Sequence, residues 1–414
     1  ALPRNRAATP FSSCLGEFGY NRARWRRQIR ELLILAGALA LLTIYFFLEV
    51  RLVERRASSL RYRIAVTGTR GKSTVTRLIA ASLREAGISV LAKTTGSLPV
   101  LILPDGTEEI IKRPGLPTIL ESKRVLKRAS VLGAEALVAE LMSIQPECLR
   151  VESQKILQPQ ILVITNTRLD HREEMGWTKP DIAGSLSVAI PAGATVFILD
   201  CESRPEFEDG ALKRKARIFN VRENGKETWA EQIQTLALAV ASSVGLPTET
   251  SLRGMAKAAP DFGGLKIWEA KLGAASWLLI SAFAANEPES SGLIINYLRR
   301  KIDFTRRKMV GILNFRSDRG DRTQQWLEAT EQGFFSGFDQ VYVVGAHIHS
   351  LRLRKNVGRE LLLTPLGDWS PASIMDRVAA DSKQPGILVG LGNVGGLGAK
   401  LIEHWGEIAR PYAI

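Results

Sequence analysis

The nine residues VTGTRGKST, Val66 to Thr74, decide how the rest of the chain is read. They follow a short apolar run and precede a helix-forming one, so glycines stand where a strand turns into a helix. Backbone amides there can approach an anion, and the helix presents its positive end to it. Lys72 is placed to neutralise β/γ-phosphate charge, and a Ser73 or Thr74 hydroxyl to reach Mg²⁺. The commonest phosphate loop, G-x-x-x-x-G-K-[ST], needs a first glycine at position 66, which is Val. The spacing is therefore the feature to be explained.

Outward from this loop, apolar runs alternate with helix-like stretches. Strands are expected at 64–69, 88–94, 135–141, 160–166 and 194–200, with helices at 73–85, 119–132 and 181–190 between them. A second series follows Lys266: strands at 275–285, 308–315, 340–346, 360–366 and 386–392, with helices at 323–332, 371–380 and 397–408. Apolar strands spaced by helices imply a mostly parallel sheet covered on both faces. The Gly/Pro-rich stretch AAPDFGGLK, Ala258 to Lys266, reads as the junction. The fold class is α/β, with one domain over 63–265 that carries the phosphate loop and a second over 266–414.

The net charge of +14 is unevenly placed. Residues 1–30 hold seven Arg and one Glu, and residues 51–63 five Arg and one Glu; with Glu31 and Glu49, the first 63 residues carry +8. Between the basic stretches lies LLILAGALALLTIYFFL, Leu32 to Leu48, seventeen uncharged and almost wholly apolar residues. That is the lower limit for spanning about 30 Å of hydrocarbon, and basic flanks suit anionic headgroups. We expect a basic tail over 1–30, a membrane-anchor helix over 31–50 and a basic linker over 51–62. Nucleic acid is not an expected partner, because the excess charge lies beside the apolar segment rather than along a folded face. Cys14, Cys148 and Cys201 have neither paired nor metal-ligand spacing, which favours a reducing compartment.

A magnesium–nucleotide site also needs carboxylates. Glu140, in VAELM, ends an apolar strand, where open α/β sheets hold their ligands. Asn166, Asp170 and His171 follow the next core strand in TNTRLDH. In this order and spacing, TGTRGKST, the acid and TNxxxDH resemble the ATP-dependent Mur ligases and folylpolyglutamate synthases. The likeness is closer to the ligase subunits of poly-γ-glutamate synthase, through RGKSTVTRL (70–78), AKTTGS (92–97), DHREEMG (170–176), FAANEPESS (283–291), NFRSDRGDRTQQ (314–325) and GLGNVGGLG (390–398). The shortened T-G-T-x-G-K-[ST] loop belongs to this resemblance rather than to ordinary P-loop NTPases.

The resemblance implies a Mur-ligase-like central P-loop ATPase domain, which would be the ATP-binding domain over 63–265, a Rossmann-like C-terminal α/β domain over 266–414, and a reaction in which ATP phosphorylates a carboxylate and an amine attacks the acyl phosphate. Carried over, Gly68, Thr69, Gly71, Lys72, Ser73 and Thr74 hold ATP phosphates, with Asn286 reaching the nucleotide from the second domain. Ser73, Glu140 and His171 bind Mg²⁺, and Lys72 and His171 serve the chemistry. Arginine forks bind carboxylates bidentately, so Arg316, Asp318, Arg319 and Arg322 are candidates for gripping glutamate or the growing poly-γ-glutamate chain; Lys93 is a further anion-binding candidate. The alternative for the arginine run is a self-neutralised ion-pair cluster.

Three positions depart from the wider family. Ser185 and Leu186 stand where many Mur ligases carry a carbamylated lysine, Ala282 stands for the aspartate of a DYAHNP motif, and Lys266 for a junction arginine. GLGNVG, Gly390 to Gly395, fits a dinucleotide fingerprint, but the acid expected about 20 residues later would lie at or beyond Ile414. It is read instead as a tight strand–helix turn. The resemblance further implies PgsC/CapC-like and PgsA/CapA-like membrane subunits as partners, membrane lipid around a single N-terminal anchor in the plasma membrane, and catalytic domains in the cytoplasm; a homo-oligomer is compatible with it. Two other readings stay open: a ligase with another acceptor, such as folate or a peptidoglycan precursor, and a membrane-bound nucleotide-dependent assembly subunit without ligation.

Overall fold

The computed structural model describes residues 11–96, 98–223, 228–261, 264–273, 275–317, 320–346, 363–365, 370–380 and 384–412, with side chains from Trp25 onward except at 363–365. The chain divides into two units, Ala1–Ser58 and Ser59–Ile414.

In the first unit a single helix runs from Phe11 to Ser58, 48 residues or about 72 Å at 1.5 Å per residue. The helix runs without a break through the expected boundaries at 31 and 50. Arg and Glu are good helix formers, and the pairs Arg27–Glu31 (3.0 Å) and Arg51–Glu54 (3.8 Å) carry the helix through both charged flanks. The segment Trp25–Ser58 is long and apolar enough to cross a membrane, an 18-residue window within it having a mean hydropathy of 2.3. Leu33 and Leu41 are 68% and 71% exposed, an arrangement suited to lipid rather than to a water-facing surface.

The second unit holds two mostly parallel sheets. Strands β1 (Tyr62–Thr67), β2 (Val90–Thr94), β3 (Val100–Ile102), β4 (Glu108–Ile110), β5 (Ala136–Glu140), β6 (Ile161–Ile164), β7 (Thr195–Leu199) and β8 (Arg217–Val221) form one, ordered β4-β3-β2-β5-β1-β6-β7-β8. Only β3 and β4 pair antiparallel to their neighbours in it. Since β1 lies between β5 and β6, the chain leaves its end flanked by the ends of both. Val66 pairs with Glu140 and Thr67 with Ile164. This register brings the phosphate loop, Glu140 and TNTRLDH to one edge.

The other sheet comprises β9 (Lys266–Leu272), β10 (Ala275–Ser281), β11 (Lys308–Phe315), β12 (Gln340–Gly345), β13 (Leu363–Pro365), β14 (Gly386–Gly392) and β15 (Arg410–Pro411), ordered β13-β12-β11-β14-β10-β9-β15. It opens with an antiparallel hairpin, β9–β10, where a first strand at 275 was expected. Buried alternation in KIWEAKL explains β9: Trp268, Ala270 and Leu272 face the core while Glu269 and Lys271 are exposed. Two apolar layers cover this sheet, one around Trp277 and Trp405 and the other around Trp326 and Phe335. A further core, including Val75, Ile79, Val138 and Leu236, packs one face of the first sheet.

Candidate active site

Gly68 (φ 120°) and Gly71 (φ 78°) carry the turn out of β1, and Gly71 precedes the helix Lys72–Glu85 with no side-chain cap. A Cβ at Gly68 would collide with Thr165 Oγ1, so glycine is required on steric as well as conformational grounds. The first-turn amides of Lys72, Ser73 and Thr74 have no intrahelical acceptors. They form an uncapped, positive helix end.

Lys72 bends back over this turn, its Nζ donating to the carbonyls of Gly68 (2.8 Å) and Thr69 (3.4 Å). Burial pushes its pKa down, against the opposing pull of Glu140 and Asp170. A partly desolvated ammonium held by two carbonyls is suited to receiving phosphate charge. Ser73 Oγ donates to Glu140 Oε2 at 2.7 Å, and Thr95 N donates to the same oxygen at 2.8 Å. The loop thus fits nucleotide phosphates, and the Ser73–Glu140 pair is an oxygen set suited to Mg²⁺. Among the described residues no three His, Cys, Asp or Glu side chains form a ready-made metal cage. A cation bound here would take its remaining ligands from phosphate and water.

Asn166 secures the loop from β6. Its Oδ1 accepts from Thr69 Oγ1 (2.7 Å) and Arg70 N (3.2 Å), and its Nδ2 donates to Arg70 O (3.0 Å). His171 takes the left-handed conformation (φ 52°), uncommon for a residue with a side chain, and its Nε2 lies 3.4 Å from Asp170 Oδ2. Asp170 is 1% exposed. Burial would raise its pKa, but Arg70, Arg322 and His171 outweigh that and hold the carboxyl well below its ordinary value.

The C-terminal domain meets this edge through charge. Asn286, also left-handed (φ 59°), follows β10. With its amide oriented to satisfy its neighbours, it accepts from Arg70 Nη1 at 2.9 Å and donates to the carbonyls of Phe283 and Gly392. Arg168 donates to Ser290 Oγ (3.0 Å), and Arg322 Nε lies 3.3 Å from Asp170 Oδ1. Burial raises the pKa of Glu287, against Arg70, the Ser290 hydrogen bonds and Arg168.

Two sequence expectations are corrected here. Lys93 is fully buried in β2, its Nζ 3.2 Å from Glu121 and 3.6 Å from Glu152; an ammonium sealed between two carboxylates has no route to a substrate. Arg322 is 6% exposed and is engaged by Asp170 and by Asn393 Oδ1 (3.0 Å), so it joins the domains instead of gripping a ligand. Arg316 reaches Gly395, where an added Cβ would meet its Nη1 at 2.6 Å. Asp318 and Arg319 lie outside the described residues. At the departing positions, Ser185 Oγ donates to Met175 O (2.9 Å) and Leu186 is buried, while Ala282 N donates to Gly390 O (2.9 Å). Arg70, Arg168 and Glu287 escaped the sequence reading of the site, although each stands inside or beside a quoted motif.

Fold and loop together define a two-domain α/β protein of the nucleotide-binding class. Residues 66–249 match the model of the Mur ligase middle domain, and residues 269–408 that of the poly-gamma-glutamate synthase CapB C-terminal domain. Similar proteins include the capsule biosynthesis protein CapB of Bacillus anthracis, 30% identical over 92% of this chain and 84% of that protein. The PGA synthase CapB of Bacillus subtilis is 33% identical over 72% of this chain and 80% of that protein. Among solved structures, MurF of Acinetobacter baumannii has a TM-score of 0.60 at 17% identity over 85% of this chain and 79% of its own. Folylpolyglutamate synthase of Thermotoga maritima has 0.55 at 14% over 89% and 98%. FolC of E. coli, solved with ADP, has 0.58 at 18% over 87% and 92%; at these identities the three speak to fold alone. The chain belongs to the CapB family of Mur-type ligases, and it is an ATP-dependent amide ligase.

Proposed function

We propose that the protein makes poly-γ-glutamate, joining glutamates through the γ-carboxyl with release of ADP and phosphate. The observation that carries this reading is the uncapped helix end at Gly71–Thr74, with Lys72 folded over it and the Ser73–Glu140 pair beside it. The family match along most of the chain supports glutamate polymer as product and does not favour a folate or peptidoglycan acceptor.

In this reading the amides of Lys72, Ser73 and Thr74 bind ATP phosphates, with Gly68, Thr69 and Gly71 shaping the turn, and the Lys72 ammonium draws charge from the transferring group. Mg²⁺ supplies further neutralisation when held by Ser73 and Glu140, with His171 contributing directly or through water. The γ-carboxylate attacks the terminal phosphorus, giving an acyl phosphate and ADP; an amine then displaces phosphate to form the amide. Arg316, Asp318 and Arg319 remain the candidate grip on the polyanion, and Asn286 the contact of the C-terminal domain with nucleotide. The apolar helix anchors the enzyme in the plasma membrane, with the ligase domains on the cytoplasmic side where ATP is, beside PgsC/CapC-like and PgsA/CapA-like subunits. The deciding experiment is turnover in reconstituted membranes: glutamate-dependent ADP release with a γ-linked product by mass spectrometry, lost in Lys72→Ala. ATP binding without amino-acid-dependent turnover would leave an assembly subunit instead.

A further inference from the structure

Arg70 lies in the phosphate loop yet points its guanidinium at the other domain. Its backbone is pinned at both ends of the peptide by Asn166, N to Oδ1 at 3.2 Å and O to Nδ2 at 3.0 Å. Its side chain, 10% exposed, spans the domain boundary. Nη2 lies 3.2 Å from Asp170 Oδ2 and Nε 3.6 Å from Glu287 Oε1, while Nη1 donates to Asn286 Oδ1 at 2.9 Å. Neither Nε nor Nη2 completes a hydrogen bond in this arrangement. These two donors make ionic contacts that a small movement would tighten or release.

The turn that Arg70 touches is itself rigid. Trp326 Nε1 donates to the Asn286 carbonyl at 2.9 Å, and the Glu287 carboxylate accepts from Ser290 N at 3.0 and 3.1 Å, capping the helix Pro288–Arg299. A displacement of the C-terminal domain carries Asn286 and Glu287 together, and Arg70 is the phosphate-loop side chain that meets both. Asn166 holds the backbone of Arg70 while the Asn286–Glu287 turn holds its side chain, and the residue fixed from both ends lies next to Gly71 at the uncapped helix end. Arg168, on the loop after β6, reaches the same block at Ser290 from outside the phosphate loop, so it ties the domains without this lever.

We infer that Arg70 is a positioning residue that couples docking of the C-terminal domain to the geometry of the phosphate loop, so that transfer proceeds only when both domains are engaged. The inference deepens the ligase reading and rests on the loop being the ATP site. Arginine suits the task because its planar fork serves Asp170 and the Asn286–Glu287 turn at once; a lysine ammonium cannot span both.

The test uses the full chain in lipid nanodiscs, as wild type, Arg70→Met, Arg70→Lys and Glu287→Gln. Hydrogen exchange read by mass spectrometry without nucleotide needs no substrate. Arg70→Met is expected to raise exchange over residues 283–291, and Glu287→Gln to raise it over 68–74, reciprocal effects between segments far apart in sequence. In turnover, Arg70→Met is expected to lower glutamate-dependent kcat by about tenfold or more, with the Kd of a non-hydrolysable ATP analogue moving less than about threefold and Arg70→Lys restoring only part. Unchanged exchange over 283–291 in Arg70→Met would overturn the coupling, as would loss of analogue affinity with kcat preserved, which would make Arg70 a nucleotide ligand. Lack of glutamate-dependent turnover in the wild type counts against the polymer reading alone, and the exchange measurement still decides the coupling.

Discussion

The turn after β1 and the turn after β14 each leave a central parallel strand between two neighbours, pass through left-handed glycines and enter a helix. After β1 the space beyond the turn is left to backbone amides and to Lys72. After β14 it is filled by the protein's own side chains. Asn314 Nδ2 donates to the carbonyls of Asn393 (2.6 Å) and Gly395 (3.0 Å), and Arg322 Nη1 donates to Asn393 Oδ1 (3.0 Å). Gly392 (φ 82°) abuts the Asn314 backbone, and Gly395 abuts Arg316. A glycine pattern therefore supplies only the bend. Whether the bend receives a ligand depends on what neighbouring elements insert into it.

The largest expected effect comes from emptying the filled turn. Arg322→Met removes the group that binds both Asn393 and Asp170, and should cost about 3–5 kcal/mol, the range for breaking a buried pair, read by denaturant titration. The partner carboxylate adds a pH signature. Asp170 titrates below its ordinary 3.8 in the folded state, so its contribution is complete above that value and drains away as pH falls beneath it. In Asp170→Asn this acid limb of the stability curve should flatten; an unaltered limb would mean that the carboxylate is not ionically held.

Next is the open turn. Lys72→Met should reduce ADP release on the order of 10²–10³-fold, as when a transition-state donor is removed. The sign for stability is the opposite. Burial has lowered the Lys72 pKa, so at neutral pH the charged form disfavours folding, and the Met variant should melt above wild type without nucleotide. A fall in both would mean that Lys72 is structural.

The smallest contrast is between two glycines. Gly68→Ala places a methyl against Thr165 at φ 120° and should cost about 1–3 kcal/mol. Gly395→Ala meets the flexible side chain of Arg316, 2.6 Å from Nη1, and should cost about 0.5 kcal/mol. Equal costs in thermal melts would erase the distinction drawn between the turns.

What the sequence made legible was mainly local. Strands β1, β5, β6 and β14 are apolar runs beside glycine or acid, and the phosphate loop lies within one nine-residue window. The helix Trp229–Ser243 was passed over, although its Thr228–Glu231 capping box is written as T-x-x-E. The hairpin β9–β10 was obscured because Lys266, Glu269 and Lys271 lend a polar look to a strand whose other face is buried. The misreadings of Lys93 and Arg322 have a different origin. Their partners Glu121, Glu152 and Asp170 are distant along the chain, and Arg322 and Asp170 lie 152 residues apart. Charge that looks available in a loop motif is consumed only once the fold brings its counter-ion.

The seam between the two sheets also constrains how such a chain can change over generations. Arg70 and Arg168 on one side face Asn286, Glu287 and Ser290 on the other, while Asp170 faces Arg322 in the reverse sense. With both polarities present, a neutral or inverted charge on one side strands a buried ion on the other. Substitutions at 70 and 287, or at 170 and 322, should therefore be tolerated in pairs and rarely alone. Exchange of either domain for that of a distant relative would succeed only if the facing set of charges travelled with it.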